Sequence, residues 1–149
     1  MHPPAMHPTE RLIRDYYAAF EAGDRDAMLA LVADNVVHDV NQGSRREGKA
    51  AFRAFMAQMD AAYAERIADL VVMVDGTGSR AAAEFIVLGT YLRTDPGLPE
   101  AHGQAYRLPA GAFFTVQDGQ VARVATHYNL PDWIAQVSRK PPQQEPSDA

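Results

Sequence analysis

The dipeptide Asp118-Gly119 separates two long apolar runs, Gln104 to Gln117 and Gln120 to Asn129. An Asp-Gly pair in that setting predicts a two-residue β-hairpin turn, because both central residues must take positive φ. Two more strands precede it. Ile67 to Val74 is rich in β-branched residues, and Arg80 to Arg93 follows the turn Asp75-Gly76-Thr77-Gly78. The second half of the chain is thereby committed to antiparallel strands. Thr94 to Gly103 joins two of them and is rich in proline and glycine. Such a segment either covers a pocket mouth or is a plain hairpin connection.

The first half reads differently. Thr9 is a candidate N-cap with Glu10 in the first turn, and Leu12, Ile13, Tyr16, Tyr17 and Phe20 follow at helical spacing. Gly23 ends that helix and Asp24 caps a second one, which carries Met28, Leu29, Leu31 and Val32 and runs out near Asp34-Asn35. Val36 to Val40 reads as a short strand running to Gly43, and Gly43 and Gly48 bracket a polar loop. A third helix from about Gly48 places Phe52, Phe55, Met56, Met59 and Tyr63 on one face. Pro131 suits the first turn of a short last helix with Trp133, Ile134 and Val137. Helices first and antiparallel strands later predict an α+β layer fold. Residues 1–8 read as a loose arm, 9–140 as one domain and 141–149 as a disordered tail.

In the strand from Arg80, Ala81, Ala83, Phe85, Val87 and Tyr91 share one face, and Ala82, Ile86 and Leu88 the other. One apolar face meets the helices. A second copy of the chain is the simplest cover for the other, which predicts a homodimer through the outer sheet face.

Composition removes several classes of function. The net charge of −5 offers no basic footprint for nucleic acid, and the absence of cysteine excludes disulfides and thiolate metal sites. No apolar run reaches the roughly 20 residues of a membrane span. The N-terminus MHPPAMHPTE has neither a basic nor an apolar signal region, so a cytoplasmic protein is expected. No histidine–carboxylate spacing suggests a metal, and there is no phosphate-binding glycine loop or Gly-x-Ser-x-Gly elbow.

Six residues stand out. Asp39 lies among Val36, Val37 and Val40, where its charge is costly. It is either a general base or a structural carboxylate, capping the turn at Gln42-Gly43 or pairing with Arg45 or Arg46. Tyr16 lies on the apolar face of the first helix, either as a core aromatic or as a pocket donor. Asn41 lies two residues past Asp39 and either holds substrate or water, or begins the turn. His127 and Asn129 share a face at period two; the histidine is either a pocket acid or a subunit contact. Glu84 is either a buried paired acid or a cross-strand partner of Arg107 or Arg123. His38, next to Asp39, is expected on the helix or solvent side.

The stretches Tyr16 to Asp24, Leu31 to Asn35, the strand with Asp39, Asp118 to Val121 and His127 to Leu130 resemble the NTF2-like superfamily. The similarity covers roughly residues 9 to 140 and points to its ketosteroid isomerase-related branch, next to the SnoaL-like polyketide cyclases. The resemblance implies a cone: a curved antiparallel or mixed sheet wrapped around three N-terminal helices, with a short C-terminal helix and a pocket inside. It aligns Tyr16 with the isomerases' oxygen-binding tyrosine and, with one residue of gap, Asp39 with their base. Their second oxyanion donor, an Asp, corresponds to the stretch Pro109 to Phe113, which has no carboxylate, and the cyclases' acid corresponds to Asn129. The implied function is cofactor-independent proton transfer on a small hydrophobic steroid-, terpenoid- or polyketide-like carbonyl compound. Asp39 would be the base, and Tyr16 with Asn129 or His127 would stabilise the enolate oxygen. The alternatives are an epoxide hydrolase in which Asp39 and Asn41 orient water, a cyclase-type reaction, and a non-catalytic ligand-binding or dimerisation module.

Overall fold

A computed structural model describes residues 5–41 and 43–139. Helices α1 (Pro8–Glu21) and α2 (Arg25–Ala30) lead into strands β1 (Val32–Asp39) and β2 (Arg45–Glu47). Helix α3 (Lys49–Ala62) follows, then β3 (Tyr63–Val74), β4 (Arg80–Tyr91), β5 (Ala105–Gln117), β6 (Gln120–Tyr128) and α4 (Leu130–Val137). The strands form one sheet in the order β2-β1-β6-β5-β4-β3. Its neighbours are antiparallel except β1 and β6, which run parallel. The sheet is curved and does not close. Register shifts in β3, in β5 against β6, and in β1 against β6 mark bulges that bend it. The β3 bulge holds Asp69 at φ 55.

All four helices lie against the concave face. Alternation along β4 sends Ala81, Ala83, Phe85, Val87 and Tyr91 inward, where all are buried. They join Ile13, Phe52, Phe114 and Val121 in a single core. Burial of these side chains drives the fold, at about 1.5–3 kcal/mol for each large one. The expected Asp118-Gly119 turn forms, with φ of 51° and 73°, between β5 and β6.

Four local expectations change. The strand read from Val36 begins at Val32, so α2 is cut to one and a half turns. The polar loop contains β2, an edge strand whose charged residues suit an exposed sheet margin. β3 starts at Tyr63, with no loop after α3. His7, not Thr9, caps α1: its Nδ1 accepts the Thr9 N–H at 3.0 Å. Thr9 is buried instead and donates its hydroxyl to the Gly78 carbonyl at 2.6 Å. The segment read as an arm thus lies partly inside α1, while residues 1–4 and the expected tail lie outside the described residues.

Candidate active site

Strand register decides which side each candidate faces. Phe113 of β5 is opposite Ala125 of β6, which is opposite Asp39 of β1. Residues aligned this way project to the same face. Phe113 is 55% exposed, so that face is the outer one. Its neighbour Phe114 points inward and meets the Tyr16 ring at 5.7 Å. Asp39 and Tyr16 therefore lie on opposite faces of the sheet, and the pairing expected of them is not made.

Asp39 is held by arginines. Arg45 binds both carboxylate oxygens, Nε at 2.7 Å and Nη2 at 3.0 Å, and Arg123 Nε adds a contact at 2.9 Å. Hydrogen bonding by Arg45 leads in holding the Asp39 carboxyl below its ordinary range. A base in an apolar pocket would be shifted the other way. Arg46 is not a partner; its guanidinium lies 4.9 Å over Phe55. Tyr16 is buried between Tyr17 and Phe114, and burial pushes its phenol up.

The other candidates also separate. Glu84 is exposed on the outer face, opposite Val71 and Gly111 and not opposite Arg107 or Arg123. His127 is exposed on the same face, edge-on to Phe113 at 5.6 Å. Asn129 is the N-cap of α4, its side chain accepting the Asp132 N–H at 3.1 Å. Asn41 stays near the interior, its Oδ1 accepting the Tyr128 N–H at 3.3 Å.

His38 does face the helices, as expected, and in a cone the helix side is the interior. It is 5% exposed, with its ring 5.1 Å from Phe52 and 4.7 Å from Phe55. Burial, helped by Arg46, lowers its pKa to about 4.

The inward face of β3, β4 and β5 carries a second constellation, absent from the sequence reading. Glu65, Gly89 and Tyr106 form one row across the three strands. The Tyr106 ring crosses Gly89 and its hydroxyl donates to Glu65 Oε2 at 2.6 Å. A Cβ at Gly89 would sit 2.1 Å from Tyr106 Cζ, so only glycine admits this crossing. Burial raises the Glu65 pKa, opposed by the Tyr106 hydrogen bond and by Arg25. Arg25 is itself bound to Asp60, Nε to Oδ2 at 2.8 Å.

Beside this row lies an aromatic wall. Tyr63 stacks on Tyr91 at 5.3 Å, and Trp133 of α4 stands edge-on to Tyr63, Tyr91 and Tyr106. Two of these phenols hold the connection between β4 and β5. Tyr63 donates to Asp95 at 2.9 Å, and Tyr91 donates to the Pro99 carbonyl at 2.7 Å. Tyr128 completes the cluster; burial raises its pKa, as do Glu65 and Asp95. An open groove of about 460 Å³ runs past this row and is lined by Glu65, Gly89 and Tyr106 themselves. The rest of its lining, Ala64, Arg66, Leu88, Thr90 and Ala105, projects outward. Among the described residues no three His, Asp or Glu side chains are grouped to hold a metal.

A curved, open six-stranded sheet with its helices and polar cluster on the concave side defines an NTF2-like cone. The SnoaL-like domain model matches residues 13–124, and the chain belongs to that family. Among solved structures it is similar to a provisionally named polyketide cyclase from Pseudomonas putida KT2440. The two are 57% identical, with 90% of this chain and 100% of that one covered and a TM-score of 0.86. A second provisionally named polyketide cyclase, from Silicibacter sp. TM1040, is 49% identical over 92% of this chain and 100% of that one, with a TM-score of 0.88. An LEH-like epoxide hydrolase of M. tuberculosis shares the fold at 16% identity and a TM-score of 0.70, with 90% and 92% of the two chains covered. A comparison with curated proteins finds no match. Among the described residues no helix is long and apolar enough to cross a membrane.

Proposed function

We propose that this SnoaL-like protein is a cofactor-independent acid/base enzyme acting on a small hydrophobic carbonyl compound of polyketide, terpenoid or steroid type. Glu65 is the proton-transfer group in this reading, and Tyr106 is its partner. The supporting observation is the Glu65 carboxyl itself: bound by a phenol at 2.6 Å, set against aromatic rings and shifted upward by burial. Such a shift moves a carboxylate toward the pH at which it can both take and return a proton. Glu65 removes a proton from the carbon next to the carbonyl, and the electron pair of the C–H bond becomes the enolate. Returning the proton to a different carbon completes an isomerisation. Attack of the enolate carbon on a second carbonyl of the same molecule, with the proton going to the new alkoxide, completes a ring closure. The names of the two similar proteins above favour the second outcome. A cytoplasmic setting remains part of the proposal.

Asp39 has no part in it, because it lies on the outer face of the sheet, and Tyr16 has none, because Tyr17 and Phe114 enclose it. The test is deuterium exchange at the acidic α-carbon of a panel of cyclic diketones, followed by NMR in D2O. Wild type should accelerate exchange, Glu65→Gln should lose about 10²-fold or more, and Asp39→Asn should retain it. Full exchange by Glu65→Gln would remove Glu65 from the mechanism.

A second reading is hydrolysis of an epoxide. It is favoured by Arg25, which binds Asp60 on one side and acts electrostatically on Glu65 on the other. That acid–guanidinium–acid series is one way to orient a water. Labelled oxygen from water appearing in a diol product would select it over isomerisation.

The outer sheet face is proposed as a homodimer surface. Val71, Met73, Leu88 and Phe113 expose 42–55% of their area there. Contiguous apolar surface of this kind marks an interaction site.

A further inference from the structure

Two rows of the outer face flank Ala112 of β5, one on each side. Glu84, Gly111 and His127 form one row across β4, β5 and β6, and Ala82, Phe113 and Ala125 form the other. On each strand a small residue of one row stands next to a large residue of the other: Ala82 beside Glu84, Gly111 beside Phe113, Ala125 beside His127. Phe113 is 55% exposed and makes a knob. Gly111 makes a hole beside it. Apart from its chain neighbours, a Cβ built there would have only the Ala83 carbonyl oxygen within 4 Å, at 3.3 Å. Glu84 is an exposed carboxylate on this apolar face, and Arg80 begins the same strand and projects to the same side. Neither forms an ion pair among the described residues.

We infer that a second copy of this chain covers the outer face by a two-fold axis that lies in the interface and crosses β5 at Ala112, close to a right angle to the strand. This rests on the homodimer proposed above and adds its register. A half turn about that axis exchanges the two rows. The partner's Phe113 then fills the hole at Gly111, the partner's Ala82 lies over Glu84, and the partner's Ala125 lies over His127. The axis repeats every one of these contacts, as an isologous interface requires. The same half turn brings the partner's Arg80 within one side-chain repeat of Glu84, roughly 7 Å along the strand. Packed sheets lie about 10 Å apart, a gap that an arginine and a glutamate reaching toward each other bridge. The pair and its symmetry mate supply the cation that a carboxylate under an apolar cover needs. The other half turn that keeps β5 on β5 has its axis along the strand. It stacks Phe113 on the partner's Phe113 and leaves Gly111 facing the partner's Gly111, a void at the centre of the contact. It also sets Arg80 against the partner's Arg123 and Arg107 against the partner's Arg107, like charges in both cases. Shape and charge therefore select the transverse axis.

The test is the dimer dissociation constant by sedimentation velocity, with thermal melting to confirm that each variant is folded. Glu84→Arg and Arg80→Glu should each weaken the dimer about tenfold or more, and the double variant should recover it, because opposite charges face each other again. Gly111→Leu should fill the hole and break the dimer, and adding Phe113→Ala should restore much of it. The axis along β5 predicts the reverse for Gly111→Leu, which fills a void there and leaves the dimer intact or tighter. If Gly111→Leu does not fold, the charge reversals decide alone. A wild-type dimer in which the double reversal stays weak, or which tolerates Gly111→Leu, would overturn the axis and leave the dimer standing. A wild type that is monomeric at every concentration would overturn both.

Discussion

Tyr106 reaches Glu65 by lying across Gly89, and the three residues occupy one row of adjacent strands. The row couples a packing constraint to a chemical one. The glycine gives up a side chain, the phenol gains a path over the strand, and the carboxylate gains a short hydrogen bond in a poorly solvated place.

Gly89→Ala should therefore displace the Tyr106 ring. Overpacking of this kind costs about 1–3 kcal/mol. Part of the loss should vanish when Tyr106 is already truncated, because the two sites share one contact. Urea denaturation of the single mutants Gly89→Ala and Tyr106→Ala and of the double mutant checks this. Strict additivity would mean the crossing is not made in solution.

His38 should give the protein an acid limb. Its folded pKa of about 4 lies below the ordinary 6.5. Between those values the unfolded chain binds the extra proton, so stability rises with pH across that window and is lost on acidification. At about 1.4 kcal/mol per pKa unit, the gap between 6.5 and about 4 is worth on the order of 3–4 kcal/mol. Denaturation midpoints from pH 4 to 7 should flatten in His38→Leu.

Glu65 should act in the opposite sense. Its folded pKa is raised, so its contribution is fully present below about pH 4.5 and falls as pH rises through the folded value. Glu65→Gln should then lessen any decline in stability above pH 4.5. A decline that is unchanged would show that the carboxyl is ionised without penalty.

Asp39→Asn should behave as a surface ion-pair mutant. The carboxylate is partly solvated, so the loss should be about 1 kcal/mol or less and smaller in high salt. Its lowered pKa means that the contribution is present above about pH 3.8 and disappears in acid. Melting at two ionic strengths measures it, with retained deuterium exchange as the check that the interior is unaffected.

Phe113→Arg and Met73→Glu should yield monomers. Both side chains are about half exposed on the outer face, and a charge at a dimer's apolar centre is left without solvent or partner. Sedimentation velocity decides, and a wild-type monomer at all concentrations would end the dimer proposal.

Much of the fold was legible because period and punctuation agreed. The 3.6-residue spacing of Leu12 to Phe20, the alternation of Ala81 to Tyr91 and the Asp118-Gly119 turn each had one reading, and each element formed. The site was less legible, and the reason is geometric. Val36 to Val40 is apolar on both parities, so local pattern cannot say whether His38 or Asp39 points inward. The parallel pairing with β6 decides it, and that partner lies far along the chain. In a cone the helices and the pocket share the concave face, so an inward His38 excludes its neighbour Asp39 from it. Glu65 is hidden because the β-branched run that marks the strand begins only at Ile67, two residues after it. Alternation of Tyr63, Glu65 and Ile67, and of Tyr106, Leu108 and Ala110, was the available signal.

The parallel pairing of β1 with β6 also sets an order of events. Arg123 meets Asp39 across 84 positions of sequence, and β2 hangs on the sheet only through β1. During synthesis the first two strands have no docking edge until the last strand has left the ribosome. The β3–β4–β5 meander can assemble before then, with α1 against it. Such long-range closure is slow relative to local pairing. A nascent chain halted before Gln120 should hold a protease-resistant meander and leave Val32 to Glu47 open to cleavage.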